Sequence, residues 1–218
     1  MKAMILAAGR GERLRPLTDT IPKPLVQVGR LSLLEWHLEN CQRAGISDVV
    51  INVSYLGEQI KNSVVGQDFG VNIVYSDEPD GALETGGGIM QALPLFDGQA
   101  FIVINSDIWT DYPLEQLRQP QGLAHLVMVD NPPQHPQGDF VLQQGQLHNR
   151  SEGKRYTYSG IGVYRPELFT DCQPGRFPLA PLLKQAMQSG QVSGEYFAGQ
   201  WYDIGTPDRL QQARDLVE

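Results

Sequence analysis

The first thirty residues constrain this chain most. Ala3–Ala8 is a continuous apolar run that stops at Gly9. It reads as a short strand covered on both faces. Arg10, Gly11, Glu12, Arg13 and Arg15 follow, and Lys23 then stands between Pro22 and Pro24. Glycines let backbone approach a ligand closely, and the N–H groups of such a turn hold phosphate together with nearby cations. Residues 1–30 carry six Lys or Arg against two acids, in a chain whose formal charge is −8. An acidic protein that gathers cations on one glycine loop is suited to hold a polyphosphate there. The bare G-x-G also fits an ordinary strand-to-helix turn. Position 14 is Leu, so there is no G-x-G-x-x-G, and no G-x-x-x-x-G-K-[ST] occurs either. Both absences disfavour a dinucleotide dehydrogenase and a P-loop ATPase.

Further along, strand and helix patterns alternate. Helices are predicted over 31–44, stopped by Gly45, over 56–65 and over 85–95. Strands are predicted at Asp48–Val53, Val71–Tyr75 and Phe101–Asn105, the last followed closely by Asp107. Alternation of this kind implies βαβ units and a three-layer arrangement. Such sheets bind ligands beyond the carboxyl ends of their strands. That edge holds both the Gly9 loop and Asp107. From Tyr112 the texture changes to short strands at 123–129, 139–142, 146–149 and 156–164, a loop at 131–138 and a helix at 179–188. A strand at 201–204 and a helix at 208–217 close the chain. With no linker or repeat, the expected organisation is one domain over 1–218. Residues 1–111 form its nucleotide-binding half, and residues 112–218 form a small sugar-binding lid and the closing helix.

A chain of 218 residues is long enough for such a core. No apolar stretch reaches the roughly 20 residues needed to cross a bilayer, and the start lacks a signal peptide. Two cysteines, Cys41 and Cys172, make no disulfide framework. The expectation is a cytoplasmic protein without membrane partners, monomeric or weakly self-associating. A pI near 5.0 argues against nucleic acid as the main partner. The four histidines, His37, His125, His135 and His148, show no metal-ligand spacing. Trp36, Trp109 and Trp201 read as packing residues.

Leu6-Ala-Ala-Gly-Arg-Gly-Glu-Arg13-Leu-Arg-Pro-Leu-Thr18, followed by Pro22-Lys23-Pro24-Leu25, resembles the signature of sugar-1-phosphate nucleotidyltransferases. The resemblance covers essentially the whole chain. It implies a Rossmann-like αβα sandwich with a mostly parallel mixed sheet. It also implies that Ala8, Gly9, Gly11, Glu12, Arg13 and Lys23 surround an NTP triphosphate. Arg13 and Lys23 would bear on the β/γ-phosphates and on charge that develops during transfer.

Asp107 in Asn105-Ser-Asp107 and Asp203 in Trp201-Tyr-Asp203-Ile-Gly-Thr206 could each be a turn residue or cap. Together they match the family's (G/N)-x-D and W-x-D-x-G-T elements. The resemblance makes them the ligands of Mg²⁺, a cation suited to one or two carboxylates plus phosphate oxygens. Asn105 would touch the sugar phosphate or nucleotide. In Pro79-Asp-Gly81-Ala-Leu-Glu-Thr85-Gly86-Gly87-Gly88, Gly81 is the candidate backbone contact to a pyrimidine. Gly86 and Gly87 are placed beside the ribose or sugar. The same cluster also fits a helix start capped by Thr85, with glycines for close packing. Asp139 and Glu195 are candidate acceptors for sugar hydroxyls, although each could be a solvated surface acid. Glu152 only weakly matches a sugar-binding Glu-Lys element, because Gly153 interrupts it.

Leu83–Gly88, Trp109–Tyr112, Leu123–Val127, Asp130–Pro132, Gly138–Phe140, Leu179–Leu183 and Val192–Glu195 resemble the family members acting on N-acetylmuramate 1-phosphate. The expected reaction joins UTP and that sugar phosphate into UDP-N-acetylmuramic acid and pyrophosphate, in cell-wall recycling. The chain ends soon after the Asp203 element, without the left-handed β-helix of acetyltransferase relatives, so no acetyl transfer is expected. The alternatives are glucose or mannose 1-phosphate as substrate, or a non-catalytic nucleotide-sugar sensor.

Overall fold

The computed structural model describes residues 1–217. Strand β1 is Ala3–Leu6; β2 (Gln27–Val28) and β3 (Leu31–Ser32) form a small hairpin ahead of helix α1 (Leu33–Arg43). Then come β4 (Asp48–Val53), α2 (Gly57–Ser63), β5 (Asn72–Asp77), α3 (Glu84–Ala92) and β6 (Phe101–Asn105). After them the chain forms β7 (Ile108–Thr110), β8 (Ala124–Val129), β9 (Phe140–Gln143), β10 (Gln146–His148) and β11 (Arg155–Tyr164). It closes with α4 (Ala180–Gln188), β12 (Val192–Tyr196), β13 (Trp201–Asp203) and α5 (Pro207–Val217).

Among the described residues the main sheet has nine strands in the order β5-β4-β1-β6-β11-β8-β12-β10-β9. β4 and β6 flank β1 in parallel, and β5 lies parallel outside β4. The crossover from β1 leads to one side and that from β5 returns to the other. The C-terminal end of β1 is therefore the crevice where ligands collect in such sheets. β11 is antiparallel to both β6 and β8, and β12 is parallel to β8. The second half thus continues the sheet of the first, and the sheet as a whole is mixed.

Side chains along β1, β4 and β6 alternate between two apolar layers, as the period of a strand requires. Ile5, Ile51 and Ile104 pack with Leu34, Leu38 and Cys41 of α1. Met4, Val50 and Val103 pack with Ile89 of α3 and Leu183 of α4. Covering both faces makes the middles of these strands apolar. Burial pushes the Cys41 thiol up to about 12, so it behaves as a small core hydrophobe. No helix among the described residues is long and apolar enough to cross a membrane.

α1 begins two residues later than its apolar pattern suggests. Ser32 and Glu35 form a reciprocal capping box, with Ser32 N–H donating to Glu35 at 2.7 Å and Glu35 N–H to Ser32 at 3.3 Å. Leu31 and Ser32 then pair with β2. At the start of α3, Thr85 is not the cap. Leu83 occupies that position without a side-chain bond, and Glu84 takes a left-handed φ of 61°.

Candidate active site

A cleft of about 340 Å³ opens at the carboxyl ends of β1, β4 and β6. Ala8, Gly9, Gly11, Glu12, Arg13 and Lys23 line one wall; Asn105, Ser106 and Asp107 line another. Residues about a hundred positions apart meet because β1 and β6 pair in register, Leu6 opposite Asn105. Gly11 has a φ of 69°, and a Cβ there would lie 3.0 Å from both Lys23 Cβ and Thr18 Cγ2. The missing side chain lets the Lys23 stem lie against the loop. Thr18 fixes the loop from the other side by donating to the Gly11 carbonyl at 2.9 Å.

Lys23 is 8% exposed, and its ammonium donates to Asp107 Oδ2 at 2.6 Å. Asp203 reaches the same region through β13, which pairs antiparallel with β7 so that Asp203 opposes Ile108. Ile204 N–H donates to the Asp107 carbonyl at 2.8 Å. The strand carrying one aspartate is therefore bonded to the residue carrying the other. Asp203 does not line the cleft itself; Gly205 does. Its Oδ2 is engaged by Arg209 of α5, and its Oδ1 is buried without a partner.

His37 of α1 lies beneath this point, 3% exposed. Burial pushes its imidazole down to about 4, against the opposing pull of Asp107 and of the backbone at Ser106 and Ile108. An unfolded histidine titrates near 6.5, so between pH 6.5 and 4 the unfolded chain binds a proton that the folded chain does not. Stability is complete above that window and falls as pH drops through it. Chemical denaturation should show a loss of roughly 2 kcal/mol from this residue between pH 6.5 and 5. His37→Leu should remove that part of the slope. His125, also lowered by burial, contributes the same sign and remains in the variant.

The far wall holds two residues that sequence reading missed, Asn52 and Glu78. Asn52 Oδ1 accepts from Ala7 N–H at 2.8 Å, which turns its amide nitrogen toward Glu78 Oε1 at 2.7 Å. Glu78 Oε2 accepts from Leu83 N–H at 2.7 Å. One buried chain of bonds thus joins the ends of β1 and β4 to the loop before α3. The available signal was polar residues at the ends of otherwise apolar strands.

Several of the expected contact residues have neighbours within the protein. At Gly86 and Gly87 the space a side chain would take is filled by protein. A Cβ on Gly86 would sit 2.5 Å from the Phe177 ring, and one on Gly87 2.2 Å from the Gly175 carbonyl. Gly88 leaves space for Glu78, 2.7 Å from where its Cβ would be. Close packing explains all three. Gly81 is exposed in a turn with φ of 106° and does not line the cleft. Arg15 pairs with Asp19 at 2.8 Å. Asp139 is occupied within its own segment, accepting from Tyr158 N–H at 2.8 Å and facing His135 Nε2 at 3.1 Å. Glu195 accepts from the Tyr112 hydroxyl and lies 3.5 Å from His125 and 3.6 Å from Arg118. Neither acid stands free in the cleft.

The Nucleotidyl transferase family model matches residues 2–140, and the chain belongs to that family. It is 48% identical to the N-acetylmuramate alpha-1-phosphate uridylyltransferase of Neisseria meningitidis serogroup B, covering 100% of this chain and 98% of that protein. A protein of the same name from Caulobacter vibrioides is 32% identical, over 94% of this chain and 92% of its own. Among solved structures, HddC from Yersinia pseudotuberculosis superposes with a TM-score of 0.82 at 21% identity, covering 100% and 99% of the two chains. The inositol-1-phosphate CTP transferase from T. maritima gives 0.81 at 19% identity, covering 99% and 94%. These structural likenesses define the fold.

Proposed function

We propose that this chain transfers the uridylyl group of UTP to N-acetylmuramate 1-phosphate, releasing pyrophosphate, in a cytoplasmic cell-wall recycling route. The observation that carries this reading is the 48% identity along the whole chain to an enzyme of that name. Relatives named for glucose 1-phosphate or mannose 1-phosphate are more distant, at 32% and 29%. The Gly9–Gly11 loop, with Arg13 and Lys23, would hold the triphosphate. The sugar phosphate would approach from the Asn105 side. Its oxygen attacks the α-phosphorus in line and pyrophosphate leaves, so no protein nucleophile is needed. The protein supplies position and charge.

Asp107 and Asp203 would hold Mg²⁺. The bond from Ile204 N–H to the Asp107 carbonyl, beside the β13–β7 pairing, sets the two carboxylate-bearing residues next to each other. That suits a hard cation which keeps waters and takes substrate phosphate oxygens. The buried, unpartnered Oδ1 of Asp203 is an acceptor in need of such a neighbour. When bound, Mg²⁺ supplies charge that offsets the phosphate oxygens.

The deciding assay follows pyrophosphate release over UTP and other NTPs, each offered N-acetylmuramate, glucose and mannose 1-phosphates, with and without Mg²⁺. UTP with N-acetylmuramate 1-phosphate should be the preferred pair. Preference for another sugar phosphate overturns the substrate reading, and nucleotide binding without release on any pair points to a sensor. Lys23→Ala should lower kcat/KM by roughly 10²–10³-fold, because a charge-assisted contact to the leaving group is lost. Lys23→Arg should recover part of it. A Lys23→Ala rate within tenfold of wild type would remove Lys23 from the mechanism.

A further inference from the structure

Arg209 lies outside every motif that identifies the cleft, yet it is closely tied to it. It sits in the first turn of α5, and its guanidinium Nη1 donates to Asp203 Oδ2. Its side chain is 13% exposed and that of Asp203 is 25% exposed. Nε reaches Thr206 Oγ1 at 3.3 Å. The remaining nitrogen, Nη2, turns toward Gly205, where a Cβ would meet it at 2.4 Å. The same imaginary Cβ would meet Arg13 Nη2 and Asp203 Oδ1, each at 3.0 Å. Two guanidinium groups therefore converge across one glycine of the cleft wall. Arg13 makes no salt bridge among the described residues. Like charges this close repel, and the Asp203 carboxylate beside them is the anion that offsets the repulsion.

Asp107 presents the same arrangement, with Lys23 on its Oδ2. Each aspartate proposed to hold the divalent cation thus carries a basic side chain on its Oδ2. Arg209 also holds Asp203 in the wall behind Gly205 instead of in the cleft. A divalent cation arriving on these carboxylates would repel both basic groups. Arg209 would then turn across Gly205 toward the phosphate oxygens proposed for Arg13.

Resting on the metal reading above, we propose that Arg209 is a further phosphate-binding residue: it neutralises Asp203 in the metal-free enzyme, and it joins Arg13 on the pyrophosphate oxygens when the divalent cation binds. Arg209 then has opposite effects on two ligands. It competes with the metal and assists the anion. A residue that merely anchors α5 would affect both in the same direction.

The test uses the whole chain and two probes, Mn²⁺ alone, followed by electron paramagnetic resonance, and inorganic pyrophosphate with Mg²⁺, followed by calorimetry. In Arg209→Gln, Mn²⁺ alone should bind roughly three- to tenfold more tightly, since a competing charge is gone from a partly buried carboxylate. Pyrophosphate should bind roughly tenfold or more weakly, through loss of a charge-assisted contact. Arg209→Lys should keep Mn²⁺ near wild type and recover only part of the pyrophosphate affinity. Unchanged or weaker Mn²⁺ binding in Arg209→Gln, Mn²⁺ undetectable on both proteins, or unchanged pyrophosphate binding overturns the proposal. Asp203→Asn separates the two claims. If it leaves Mn²⁺ binding intact, the metal assignment itself fails; if it abolishes binding while Arg209→Gln changes nothing, only the exchange fails. Should Arg209→Gln not fold, a crystal structure of the wild type with Mg²⁺ and pyrophosphate decides. Arg209 on pyrophosphate supports the exchange, and Arg209 still on Asp203 refutes it.

Discussion

Asp107→Ala should reduce turnover roughly 10³-fold or more, the loss of at least about 4 kcal/mol of transition-state stabilisation, while leaving the chain folded. The substitution also removes the ion-pair partner of Lys23, an ammonium that is 8% exposed. Stranding such a charge is costly in a sealed interior. Here the Asp107 side chain is 31% exposed, so water reaches the gap and the expected loss falls to about 1–2 kcal/mol. Asp107→Asn keeps an oxygen for Lys23 to donate to, and should melt closer to wild type. Its turnover should be lost nearly as fully, because a neutral amide is a poor ligand for a hard cation. The pair therefore separates chemistry from stability. Pyrophosphate release, thermal melting and Mn²⁺ binding are measured on both variants. Turnover within tenfold of wild type for either, with metal rigorously chelated in the controls, would sink the carboxylate assignment.

Much of the first half was legible because each element there obeys a single rule. Asp48–Val53 and Phe101–Asn105 have the bounds their apolar runs predict, since both of their faces meet helices. The cation loop and Asp107 could be placed on one edge from the βαβ pattern alone. The second half was less legible because its strands carry polar side chains inward. β12 reads Val-Ser-Gly-Glu-Tyr and looks like a loop. Ser193 bonds to buried His125 at 2.8 Å, Glu195 takes the Tyr112 hydroxyl, and Gly194 spares a clash with Leu147. Three residues of β7 were too few to show a period, and among the described residues they pair only with distant β13. The glycines of α3 were legible only as two alternatives. Sequence reveals that a side chain is missing but not whether ligand or protein fills the space. Here Phe177, Gly175 and Glu78 fill it.

That filling makes Glu78→Ala more destabilising than the loss of either aspartate or of Lys23. Glu78 is 2% exposed and accepts two bonds of 2.7 Å, one from the Asn52 amide and one from Leu83 N–H. Truncation leaves both donors buried without acceptors, at about 1–3 kcal/mol each, and adds a cavity beside Gly88. Asn52 cannot recover by turning its amide, because Ala7 N–H already holds its oxygen at 2.8 Å. The expected loss is about 3–5 kcal/mol, which for a chain of this size lowers Tm by roughly 10 °C or more. Glu78→Gln keeps one acceptor but sets an NH₂ against one of the two donors, so it should fall between alanine and wild type. The damage should also reach the cleft. Leu83 holds Phe177 N–H at 3.1 Å, and Phe177 in turn accepts from Gly87 N–H at 3.1 Å, so releasing Leu83 loosens the wall beside Thr85. In Glu78→Ala at a temperature where it is still folded, KM for UTP should rise several-fold. A Tm within about 3 °C of wild type, a shift of no more than roughly 1 kcal/mol, would show that this chain of bonds is not what holds the far wall together.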